Sequence, residues 1–157
     1  SYDVAVLSLK NATVLTPYYS QLWYDLLFID NSSLARALHY LEQIDGETGN
    51  VIAWKGNYYS LKDPQLSYVY FDKALERNPK NPNWTRAYAD SLYRNGRYEE
   101  ALNMYNRSLE LVPDFWKWKD KIEEKSSAEQ KSYRIFFKNV PDFWKIIERI
   151  DELQKLV

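Results

Sequence analysis

The sequence predicts an all-α array of helix-turn-helix hairpins, one run of small repeats. Three observations carry that expectation. Apolar side chains recur three and four positions apart, at helical spacing, along most of the chain. Prolines close successive hairpins at Pro79 and Pro113, 34 residues apart, so the chain repeats itself. The pentapeptide Pro113-Asp114-Phe115-Trp116-Lys117 returns 28 residues later as Pro141-Asp142-Phe143-Trp144-Lys145. In each copy Pro ends a hairpin, Asp can cap the next helix, and Phe-Trp opens its buried side, so one joint is used twice.

The elements follow in order. In "DVAVLSLKNATVLTP", Ala5, Leu9, Ala12 and Pro17 have the spacing of a hairpin's second helix alone. Residues 1–17 therefore read as a partial repeat, and the chain as a piece cut from a longer protein. Residues 18–48 give a degenerate hairpin, with helices over 19–30 and 33–44 joined at Asn31-Ser32 and with Ala37 and Leu41 inside. In residues 49–81, "AWKGNYY" begins the pair and Ser67, Phe71, Ala74 and Pro79 pattern its second helix. Asp63-Pro64 makes the turn there.

Residues 82–115 are the clearest unit. Asn81 suits an N-cap and Pro82 a first helical turn. Trp84, Ala87, Tyr88, Ser91 and Leu92 then share one side of a helix over 83–95. Gly96 breaks it where a left-handed conformation costs little. Ala101, Leu102, Tyr105, Leu109 and Val112 pattern the second helix, which Pro113 stops. Residues 116–141 read as a shortened repeat keeping Tyr133, Phe136 and Pro141. Residues 142–157 read as a capping helix, with Phe143, Ile146, Ile147, Ile150 and Leu153 on one stripe and Lys145, Glu148, Arg149 and Glu152 opposite. Trp116, Trp118 and Trp144 are expected to pack at this finishing joint.

The unit from Pro82 to Phe115 resembles a tetratricopeptide repeat. Ala89, Leu92, Gly96, Ala101, Tyr105, Ser108 and Pro113 fall on that family's pattern, and "GRYEEAL" is typical of its turn. Small residues at Ala89, Ala101 and Ser108 let two helices approach, and Tyr105 fills the space beside them. Lys55-Gly56 resembles a common family variant in the preceding unit. The resemblance implies a right-handed superhelical solenoid of three to four hairpins plus a C-terminal cap. It also implies a non-catalytic protein-interaction scaffold.

Composition narrows the function classes. Lys plus Arg number 21 against 22 Asp plus Glu, a net charge of −1, which lacks the basic footprint of nucleic-acid binding and argues against an RNA-binding helical repeat. There is no cysteine, the only histidine is His39, and no spacing suits a metal or cofactor. Four glycines cannot build a phosphate loop. Glu99-Glu100 and Glu123-Glu124 are adjacent on helices and point apart, so no acid–base pair or enzyme is expected. No run is long and apolar enough for a membrane span. The sequons at Asn11, Asn31, Asn83 and Asn106 matter only in a secreted protein, and the compartment stays open between the cytoplasm and an extracytoplasmic domain.

In the family the first helices line a concave groove that takes an extended peptide or a partner's helix. Carried onto this sequence, the groove candidates are Asn50, Asn57, Asn83, Arg86, Asp90 and Tyr93, followed by Lys117 and Lys121. Their amides and cations suit a peptide backbone or a carboxylate. Some family members clamp a C-terminal carboxylate with five residues. Asn57, Lys117 and Lys121 match that set, but Ala53 and Ala87 stand where a Lys and an Asn are required, so the clamp is not expected. The rival reading is a docking or spacer domain of a larger membrane-associated enzyme, such as a glycosyltransferase or polysaccharide ligase. A first helix left with an apolar face also offers a surface for homodimerisation.

Overall fold

The computed structural model describes residues 1–112 and 143–157, and within them every regular element is helical. α1 (Tyr2–Leu15) and α2 (Ser20–Ile29) lead through a 3₁₀ turn (Asn31–Ser33) to α3 (Leu34–Asp45). α4 (Gly49–Tyr59) pairs with α5 (Pro64–Arg77), α6 (Pro82–Arg94) pairs with α7 (Tyr98–Glu110), and α8 (Phe143–Leu156) ends the chain. The shortened unit at 116–141, its tryptophans, Lys117 and Lys121 lie outside the described residues, as do the side chains of Phe143 and Trp144.

Local chemistry explains the boundaries. Thr48 accepts a hydrogen bond from the Val51 amide at 3.2 Å and starts α4. Asp63 accepts from the Leu66 amide, and Pro64, whose missing N–H would be unpaired there anyway, opens α5. The Asn81 carboxamide accepts from Asn83 N and Trp84 N at 3.0 and 3.1 Å, with Pro82 first in α6. Gly96 has φ +75°, the left-handed value that ends α6 and turns the chain into α7.

Packing runs mainly between helices adjacent along the chain, with α4 also against α6, as in a stacked array. One core gathers Trp23, Leu26, Leu27, Ala37, Leu38, Leu41 and Val51 from α2–α4. A second, around Phe71, Tyr88, Leu92, Tyr105 and Leu109, joins α5, α6 and α7 to Ile146, Ile150 and Leu153 of α8. The last three are nearly or fully buried, each contributing about 1.5–3 kcal/mol of gross transfer free energy. Two members of the polar side of α8 also make contacts. The Tyr93 hydroxyl donates to Glu152 Oε1 at 2.7 Å, and the Arg149 guanidinium stands 3.9 Å above the Tyr93 ring.

α4 lies close to its neighbours because of its glycines. A Cβ on Gly56 would stand 2.8–2.9 Å from three ring carbons of Phe71. A Cβ on Gly49 would meet the Trp84 ring at 2.3 Å.

Three buried serines pin the joint between the two hairpins. Ser67 Oγ donates to Gly56 O at 2.7 Å, Ser60 Oγ donates to Ser91 Oγ at 2.9 Å, and Ser91 and Ser67 are also 2.9 Å apart. Each hydroxyl has one proton, and Ser67 has spent its own on Gly56. Ser91 must therefore donate to Ser67, and the chain runs Ser60 to Ser91 to Ser67 to Gly56 O. Asn95 Nδ2 reinforces it by donating to Ser60 O and Ser91 O at 2.7 and 2.8 Å.

Candidate functional site

α4 and α6, the first helices of their hairpins, border a cleft of about 340 Å³. Arg86, Asp90 and Arg94 stand four apart on one side of α6 and line it. Trp54, Asn57 and Tyr58 come from α4, and Ser60, Leu61 and Lys62 from the turn after it. Asn31 and Leu34 close the far wall.

Asp90 organises the α6 side. Arg86 Nη1 donates to Asp90 Oδ2 at 2.7 Å, and the Tyr105 hydroxyl, reaching over from α7, donates to Asp90 Oδ1. The Tyr105 ring is fully buried. Burial first, and the Asp90 charge beside it second, push its phenol well above the usual tyrosine value, so it remains a donor. Arg86 Nε is buried and has no hydrogen-bond partner among the described residues. Among the described residues Arg94 hydrogen-bonds only Ser60 Oγ, at 3.5 Å, while the Lys62 ammonium stands 3.9 Å over the Tyr58 ring.

The structure brings Asn57, Arg86 and Asp90 of the expected set together in this cleft. Asn50 and Asn83 sit instead near the N-terminal ends of α4 and α6, both exposed, with Asn50 Oδ1 accepting from Trp84 Nε1 at 3.2 Å. Tyr93 faces α8 through its bond to Glu152. Sequence reasoning missed Arg94, Lys62, Trp54 and Tyr58. Arg94 had a signal, four residues beyond Asp90 on the same helical stripe; Lys62, in a turn, had none. His39 lies exposed on α3, within 3.2 Å of Gln43 Nε2. Among the described residues no cluster of His, Cys, Asp or Glu gathers to hold a metal, and no helix is long and apolar enough to cross a membrane.

Residues 58–119, from the end of α4 through α7 and beyond, match the tetratricopeptide repeat family. This stretch of the chain is similar to tetratricopeptide repeats. The match takes in the α6–α7 hairpin and the second helix of the hairpin before it, where the serine joint lies. A solved structure described as MamA AMB-1 is 18% identical over 99% of this chain and 89% of its own, with a TM-score of 0.48. No curated protein matches. Tetratricopeptide repeats typically act as non-catalytic scaffolds for other proteins, and the similarity supports that role for this chain.

Proposed function

We propose that the chain is a non-catalytic scaffold that binds an extended peptide or a partner's helix between the first helices of its repeats. The observation that supports this reading is the convergence of Asn57, Arg86 and Asp90 on one cleft between α4 and α6. First helices of successive hairpins supply two of its walls, so the cleft follows from their stacking. Its half-buried amide and guanidinium can bond a peptide backbone, while Trp54 and Leu34 offer apolar contact.

The experiment is capture of partners on the immobilised chain, identified by mass spectrometry and repeated with two variants. Asn57→Trp fills the cleft, and Glu99→Lys alters the exposed surface of α7, which does not line it. A partner lost with Asn57→Trp and kept with Glu99→Lys supports the reading. A partner kept with the filled cleft refutes it.

A further inference from the structure

We infer that the α4–α6 cleft takes a carboxylate, an Asp or Glu side chain on an extended partner segment with an apolar residue beside it. This rests on the peptide-binding reading and names the chemistry the peptide must carry.

Charge is the first argument. Among the described residues three cations, Lys62, Arg86 and Arg94, line the cleft against one anion, Asp90, a local excess of two on a chain whose net charge is −1. Asp90 is already spent, with one oxygen on Arg86 and the other under the Tyr105 hydroxyl. The neighbouring Asp63 carboxylate is turned to the Leu66 amide, where it caps α5. Lys62 and Arg94 have no ion pair among the described residues; an aromatic face and a serine hydroxyl are their nearest interactions. Among the described residues, two positive charges therefore line the same space with no carboxylate but the already engaged Asp90.

Unspent hydrogen bonds are the second argument. Arg86 keeps a buried Nε–H with no partner, and buried donors in folded proteins are nearly always paired. A turn of the guanidinium toward the cleft would present the Nε–Nη2 edge, whose two parallel N–H groups match the two oxygens of a carboxylate. The Asn57 carboxamide, half-buried in the same wall, makes no hydrogen bond to any described residue and can serve the peptide backbone beside that carboxylate.

Shape completes the case. A space of about 340 Å³ is at the small end of the roughly 300–1,000 Å³ typical of ligand pockets, enough for a short stretch of peptide. Leu34, Trp54 and the well-exposed Leu61 border the cations, so an apolar residue next to the acid gains contact. An excess of two charges is small beside the 6–10 phosphate contacts of typical nucleic-acid sites, which favours a single carboxylate over a polyanion.

The test uses the full chain and fluorescein-labelled peptides of alternating Leu and Glu, with a Leu–Gln counterpart. Binding is read by anisotropy and located by amide chemical-shift mapping. Lys62 is exposed and Arg94 makes one long contact, so Lys62→Glu and Arg94→Glu leave the fold intact, which circular dichroism checks. The expected result is binding of the Glu peptide with shifts at Asn57 and Arg94. Affinity should fall about tenfold or more with Arg94→Glu or with the Gln peptide, and weaken with salt. Equal binding of both peptides at the cleft overturns the carboxylate inference and leaves the peptide groove standing. Shifts confined to another face overturn both readings. Failure of either peptide to bind, or tighter binding of single-stranded RNA than of the Glu peptide, overturns the inference.

Discussion

Replacing Gly56 by Ala tests how closely α4 and α5 approach. In an ordinary helix interior this change stabilises by about 1 kcal/mol, because glycine is the poorer helix former. Here the new methyl would stand 2.8–2.9 Å from Cε2, Cδ2 and Cζ of Phe71. Phe71 has nowhere to retreat, being fully buried and stacked on Tyr88 at a centroid distance of 5.2 Å. Overpacking of this kind costs about 1–3 kcal/mol. Moving the helices apart also stretches the 2.7 Å bond from Ser67 to Gly56 O, a loss of about 0.5–1.5 kcal/mol. The sum less the propensity gain is a net destabilisation of about 1–3 kcal/mol, or roughly 2–10 °C in Tm for a chain of this size. Urea unfolding followed by far-ultraviolet circular dichroism measures it. Adding Phe71→Leu should recover part of the loss, because it removes the clashing ring atoms. A Gly56→Ala protein more resistant to urea than the wild type would show that propensity alone decides and that the close approach is wrong.

Ser91→Ala should cost about 1–3 kcal/mol, because it orphans the Ser60 donor and removes the proton given to Ser67. The triple change Ser60→Ala, Ser67→Ala, Ser91→Ala should cost less than the sum of the singles in urea titrations; strict additivity would disprove the coupled chain. Burial and Asp90 raise the Tyr105 phenol, and burial and Asp72 raise that of Tyr88. The folded state therefore keeps both protonated after the unfolded chain ionises, near pH 10. Their stability contribution is full below that point and declines above it, by about 1.4 kcal/mol per pH unit for each phenol. Tyrosinate absorbance checks this, and ionisation of all 14 tyrosines in a still-folded protein would contradict it. Tyr93→Ala removes both the donor to Glu152 and the ring under Arg149, and should raise hydrogen exchange in α8, whereas Tyr93→Phe should change it little. Unchanged exchange with Tyr93→Ala would mean that apolar packing alone holds that helix.

The helices from 49 to 110 were legible because their punctuation is local. Asn81 and Pro82, Asp63 and Pro64, and Gly96 determine start and stop by their own backbone chemistry, whatever surrounds them. The helix expected over 83–95 runs Pro82–Arg94, and the one expected over 19–30 runs Ser20–Ile29. The small-residue pattern was equally readable, with Ala89, Ala101 and Ser108 fully buried beside Tyr105. The cleft was only half legible. Arg86 and Asp90 share a helical stripe, but Lys62 joins them through the α4–α5 turn, and no spacing rule reaches across two helices and a loop. Tyr93 shows the same gap from the other side: its position on α6 was readable, whereas its neighbours Arg149 and Glu152 lie 56 and 59 residues away along the chain. The serine chain was invisible for a further reason, since Ser60, Ser67 and Ser91 look in sequence like ordinary small residues of a packed helix.

That chain of hydroxyls has a mechanical consequence. Apolar surfaces can slide past one another, because contact area lost on one side is regained on the other. Three hydroxyls and a carbonyl joined in a fixed donor order cannot slide, since any shear between the α4–α5 and α6–α7 hairpins breaks several buried bonds at once. The joint behaves as a rivet. Bending of the array is then left to places such as the α3–α4 contact, where the cross-links are the surface pair of Lys55 with Glu42 and apolar packing. The same bonds tie the end of α4 to α6 beside the cleft, so they set the spacing of two of its walls.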